Sequence, residues 1–134
     1  MRTQLYINGE WRDSENGAEF TVWNPTSGSE LASVASGTSG DATAAVDAAA
    51  SAQNGWAAEP PRVRSEILRR CWKNLLDHTD ELADLIVNEH GKPRVDAAGE
   101  VAYAAEFFRW NAEETVRIHG TIGVSPSGGN KMIV

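Results

Sequence analysis

Apolar and polar residues alternate over the first third of the chain, and the period then lengthens to that of a helix. Leu5-Tyr6-Ile7 runs into Asn8-Gly9, a dipeptide suited to the left-handed positions of a hairpin turn, and Glu10-Trp11 follows. Phe20-Thr21-Val22-Trp23 is a second β-branched and aromatic run, stopped by Asn24-Pro25, and Leu31-Ala32-Ser33-Val34 is a third. These runs predict a small antiparallel sheet with short turns.

From Asp41 an Ala-rich stretch of high helix propensity begins, with Asp41 as the expected cap and Asn54-Gly55 as the expected end. Val63, Ile67, Cys71 and Leu75 then recur every four residues, with Leu68, Trp72 and Leu76 beside them, as on one face of a helix. Thr79-Asp80 offers N-cap chemistry, and Leu82, Leu85 and Ile86 carry a further helix to His90. Gly91 suits the left-handed residue that ends a helix, and Pro93 fits the first turn of the next. The segment from Pro93 to His119, ended by Gly120, predicts a helix roughly 40 Å long at 1.5 Å per residue. Gly99 within it suggests close approach by another backbone. Thr121–Val124 reads as extended, Ser125–Asn130 as a turn, and Lys131–Val134 as a strand lacking a later partner. The fold class is α+β: strands and turns over 1–38, helices over 39–120, and a further hairpin beginning over 121–134.

With 134 residues, 41% hydrophobic and 23% charged, the chain has the composition of one globular domain. Its formal charge of −7 opposes non-specific association with nucleic acid or anionic membranes. No apolar run reaches the roughly 20 residues of a membrane span. A single cysteine permits no intrachain disulfide, so the cytoplasm is the expected location.

Residues alone show no catalytic constellation. Cys71 lies in the apolar stripe without an activating partner nearby in sequence, which gives it a packing role. His78, His90 and His119 each fall near a predicted helix C-terminus, and none has the spacing of a zinc site. Glu106/Arg109 and Glu113/Arg117 have the spacing of helical ion pairs. Glu89 stands out because it is fixed beside a helix end. No glycine-rich phosphate loop is present.

An ordered set of short motifs nevertheless resembles the N-terminal part of the aldehyde dehydrogenase superfamily, with its succinate-semialdehyde dehydrogenase branch the nearest match. The set runs through Ile7-Asn8-Gly9-Glu10-Trp11, Asn24-Pro25-Thr26-Ser27-Gly28, Asp47-Ala48-Ala49 with Trp56, Arg62, and Ile67-Leu68-Arg69. It continues through Glu81-Leu82-Ala83, Glu89-x-Gly91-Lys92-Pro93, Gly99-Glu100-Val101 and Tyr103-Ala104-Ala105. Trp110-x-Ala112-Glu113-Glu114 and Arg117-Ile118-x-Gly120 complete it.

The resemblance implies oxidation of an aldehyde to a carboxylate with NAD or NADP, by a cysteine thiolate, an activating glutamate and an asparagine-lined oxyanion site. None of those motifs matches this chain, and the family's T-P-W-N-F-P segment is expected beyond Val134. The chain therefore reads as the N-terminal part of such an enzyme, inactive alone, with no catalytic or cofactor-binding residue of its own. It implies the N-terminal part of the Rossmann-like cofactor domain, and a homo-oligomer (dimer or tetramer) associating through the hairpin that starts at 121. Val101, Ala105 and Phe108 are expected to line the substrate tunnel. The backbone carbonyls of Val22 and Trp23 with the Glu89 side chain match a structural monovalent-cation site of some members, where several carry Asp in place of Glu. A non-catalytic helical scaffold or interaction module is the alternative reading.

Overall fold

The structure is a computed structural model that describes residues 2–133. Four strands precede four helices, and a terminal hairpin follows. β1 (Leu5–Ile7) and β2 (Glu10–Arg12) pair antiparallel across Asn8-Gly9, whose φ angles of 54° and 83° are those of the expected hairpin turn. β3 (Glu19–Trp23) pairs antiparallel with β4 (Glu30–Ala35), with a register shift between Val22 and Trp23. The strands form separate two-stranded ladders rather than one sheet. The first two ladders are tied by a backbone bond of 2.8 Å from the Ala35 N–H to the Thr3 carbonyl.

α1 (Ser39–Ala58) opens on a capping box, which places Thr38 rather than Asp41 at the N-cap. Thr38 Oγ1 accepts from the Asp41 N–H, and the Asp41 carboxylate accepts from the Thr38 N–H. Asn54-Gly55 does not stop this helix, because neither residue takes a left-handed conformation there; α1 ends at Ala58, where Pro60 follows. Asp41 is buried and also accepts from the Arg12 guanidinium and the Glu15 N–H, at 2.8 and 3.1 Å. One carboxylate thus joins the β2 end, the following loop and the first turn of α1.

α2 (Pro61–Asp77), α3 (Thr79–His90) and α4 (Arg94–Thr115) form the packed part of the molecule. The break between α2 and α3 falls where expected, but the N-cap position belongs to His78, and Thr79 Oγ1 donates back to the Leu76 carbonyl. Gly91 has φ +73°, and Pro93 sits at the N-cap of α4. Ala97, Val101, Ala105 and Ala112 of α4 are buried, as is Ala83 of α3. These small side chains let α4 approach both α2 and α3 closely. Ser65 of α2 donates 2.8 Å to the Ala112 carbonyl inside that contact. α4 ends at Thr115, short of Gly120, as backbone turns replace the helical pattern over Val116 and Arg117. Arg117 pairs with Glu114 instead of Glu113.

β5 (Ile122–Val124) and β6 (Lys131–Ile133) pair antiparallel across the 125–130 turn. The final strand thus has β5 as its partner within the chain; Val134 itself lies outside the described residues.

Two substitutions separate the roles of the α3–α4 glycines. A β-carbon on Gly91 would meet Pro25 Cγ at 3.0 Å and Thr26 Oγ1 at 3.2 Å, while one on Gly99 meets open space. No neighbouring backbone approaches Gly99, contrary to the sequence expectation. In denaturant titration, Gly91→Ala is expected to lower stability by about 1–2 kcal/mol and Gly99→Ala to raise it by about 0.5–1 kcal/mol. The Asp41 joint has an acid signature. Hydrogen bonds from the Thr38 and Glu15 amides and from Arg12 hold its carboxyl well below the usual carboxylate range. A depressed folded-state pKa contributes stability that is complete above the unfolded value of about 4 and is lost as pH falls below it. Asp41→Asn should therefore flatten the fall in stability below about pH 4 seen in pH-dependent thermal melts.

Candidate functional site

The α3–α4 junction lies beside the turn that follows β3. The Asn24-Pro25-Thr26 turn lies against Gly91, and Asn24 Nδ2 donates 3.4 Å to Asn88 Oδ1. That turn follows Val22 and Trp23 directly, so the bulged end of β3 and the C-terminal turn of α3 occupy one region. The turn is held by the Asn24 side chain, whose Oδ1 accepts from the Thr26 and Ser27 N–H groups. Glu89 and the Trp23 ring are exposed there, while Val22 is half-buried. Lys92 pairs with Glu100, and Arg94 binds Asp84 at 2.9 Å and Asp80 at 3.0 Å, bracing α4 against α3. Both aspartates raise the Arg94 pKa above its ordinary value.

α4 has two unlike faces. Val101 and Ala105, at 4% and 0% exposure, point into the contact with α2 and α3. Phe108 lies further out and lines a shallow depression with Leu68, Phe107 and Asn111. The opposite face carries Tyr103, Phe107 and Trp110, at 68%, 53% and 62% exposure. Tyr103 and Phe107 meet edge to face, with ring centroids 5.0 Å apart and planes at 82°. With Glu106 these rings line an open hollow. The i, i+4, i+7 spacing of 103, 107 and 110 carried this face in the sequence, but nothing there said which of the two helix faces would be buried.

Glu106 is held by Arg109, whose Nε and Nη2 donate 3.0 and 2.7 Å to one carboxylate oxygen. The same guanidinium lies over the Trp72 ring of α2, 5.9 Å from its centroid.

Cys71 is half-buried on α2. The three histidines stay apart: His78 caps α2, with Nδ1 2.8 Å from the Asn74 carbonyl, His90 closes α3, and His119, expected at a helix end, lies beyond α4 because that helix stops at Thr115. Among the described residues no three His, Cys, Asp or Glu side chains converge on a metal-sized site, and no helix is long and apolar enough to cross a membrane.

Comparison with known proteins gives this geometry its context. The NADP-dependent succinate-semialdehyde dehydrogenase of Escherichia coli is 41% identical over 134 residues, all of this chain and 28% of that protein. The glutarate-semialdehyde dehydrogenase of Pseudomonas putida is 42% identical over 120 residues, 90% of this chain and 25% of that protein. The crystal structure of an NADP-dependent enzyme from E. coli superposes with a TM-score of 0.94 at 40% identity, covering 98% of this chain and 27% of that one. The chain spans about a quarter of the length of the curated relatives it matches. Residues 11–134 match the description "Aldehyde dehydrogenase family", and the chain belongs to that family.

Proposed function

We propose that this chain is the N-terminal part of an NAD(P)-dependent aldehyde dehydrogenase whose substrate is a semialdehyde bearing a distal carboxylate, and that alone it does not turn over aldehydes. Family membership supports the reaction class, and relatives named for succinate and glutarate semialdehydes support the substrate class.

The observation that carries the reading is surface. A compact 14.5 kDa monomer exposes about 6,900 Å² by the usual scaling of area with mass. This chain exposes 9700 Å², and among its described residues no large side chain is fully buried. Such a chain forms helix contacts without a core of its own size, as a segment built to be covered by further protein would.

In this reading residues 1–38 and 39–120 are parts of one incomplete domain, and the β5–β6 arm at 121–134 takes part in dimer or tetramer formation. The Tyr103, Phe107 and Trp110 face borders the substrate passage, with Phe108 at its edge and Val101 and Ala105 supporting it from behind. NAD or NADP, which accepts the hydride when bound, finds no glycine-rich phosphate loop in this chain, so its binding belongs to the remainder of the protein. A monovalent cation would be held by the Val22 and Trp23 carbonyls and the Glu89 carboxylate, whose segments share the α3–α4 junction. A cytoplasmic location accords with the lone Cys71.

The purified chain, mixed with succinate semialdehyde and either NAD or NADP, is expected to give no increase in absorbance at the reduced-nicotinamide band, whereas the longer protein containing it does. Turnover by the chain alone would refute this assignment. For the cation, sodium or potassium should raise the melting temperature beyond an ionic-strength control, and Glu89→Gln should abolish the difference. An equal rise in both proteins rules the site out.

A further inference from the structure

The aromatic hollow on α4 contains one charge of the wrong sign for the substrate class proposed above. Of the four residues lining the hollow, Tyr103, Phe107 and Trp110 are aromatic and Glu106 alone is acidic. Semialdehydes such as those of succinate and glutarate are themselves carboxylates, so a bare Glu106 would repel them at the approach to the reaction centre. The effect grows as neighbouring protein excludes water and salt from the hollow.

We propose that Arg109 determines the tolerance of this site for anionic aldehydes by masking Glu106. It is a positioning residue that acts through Glu106 and does not touch the reacting atoms. Three observations support the assignment. Both guanidinium donors converge on Glu106 Oε1, at 3.0 and 2.7 Å, which keeps the positive charge beside the carboxylate that faces the hollow. The i, i+3 spacing places Arg109 one helical turn along, so the helix itself presents the cation to the acid. The Arg109 guanidinium carbon also lies over the Trp72 ring of α2, 5.9 Å from its centroid, which gives the cation a second partner besides Glu106. The pair is thus neutral toward the hollow, and its aromatic walls can accept the carbon chain of an aldehyde irrespective of a distal charge.

This inference rests on the reading of the α4 face as the border of the substrate passage, and the test separates the two. The complete enzyme carrying this segment is assayed at low ionic strength with succinate semialdehyde and with butanal, an uncharged aldehyde of the same carbon count. Arg109→Ala should raise KM for the semialdehyde about threefold, leave kcat unchanged, and leave both constants for butanal unaltered. Raising the salt concentration should shrink the difference. Arg109→Lys keeps a cation in place and should behave nearly as the parent. The double variant Glu106→Gln/Arg109→Ala should restore the parental KM, because no charge remains to be masked. An unchanged semialdehyde KM in Arg109→Ala overturns the proposal, as does an equal rise for both aldehydes or a double variant as impaired as the single one. If Tyr103→Ala and Phe107→Ala leave the KM for both aldehydes untouched, the passage itself is misplaced and both readings fall. Failure of Arg109→Ala alone refutes only the masking role.

Discussion

The close seating of α4 between α2 and α3 is the contact on which the rest of this structure depends. It is made by small residues: Ala97, Val101, Ala105 and Ala112 on one helix, Ala83 on another, and Ser65 donating to a carbonyl across the gap. Small side chains contribute little apolar area each, so this contact relies on close packing along the helices rather than on a few large buried groups. The arrangement leaves the large apolar residues, Tyr103, Phe107 and Trp110 among them, on the outside. That inversion supports the proposal that the chain is a segment of a larger fold.

Charge and turn geometry hold the other pieces to this core. Asp41 gathers Arg12, Thr38 and Glu15 at the start of α1, and Arg94 spans two turns of α3 through Asp80 and Asp84. Asp41 is buried and its bonds are correspondingly strong, whereas the Arg94 pairs are exposed and serve more to set the helix angle than to add stability. Between them Gly91 provides the left-handed turn that brings the C-terminal end of α3 against the Asn24-Pro25-Thr26 turn. The ladders, the helices and the face proposed to meet substrate are thereby linked through a few specific joints.

Much of this was legible from residue order. Asn8-Gly9 and Gly91 signalled their turns because only positive φ closes them, and both positions have it. The four-residue apolar repeat through Cys71 gave α2, and the ordered motifs pointed to the aldehyde dehydrogenase family. Other local signals misled. Asn54-Gly55 resembles a helix stop, yet α1 continues through it. Gly99 resembled a close-packing position and faces open space. Arg117 had acidic residues at both Glu113 and Glu114, and it pairs with Glu114, three residues before it.

Residue order specifies what depends on near neighbours: the Asn8-Gly9 and Gly91 turns, the periodicity of α2, and the motifs that mark the family. Tertiary structure decided which side of each element faces inward. On α4, Val101 and Ala105 compete with Tyr103 and Phe107 for burial, and a hydrophobicity pattern favours the larger rings. The structure buries the smaller pair where α4 meets α2 and α3, since small side chains let helices pack closely, and it leaves the rings outside that contact. That choice of face leaves Tyr103, Phe107, Trp110 and Glu106 together outside the contact, and it exists only when all three helices are in place.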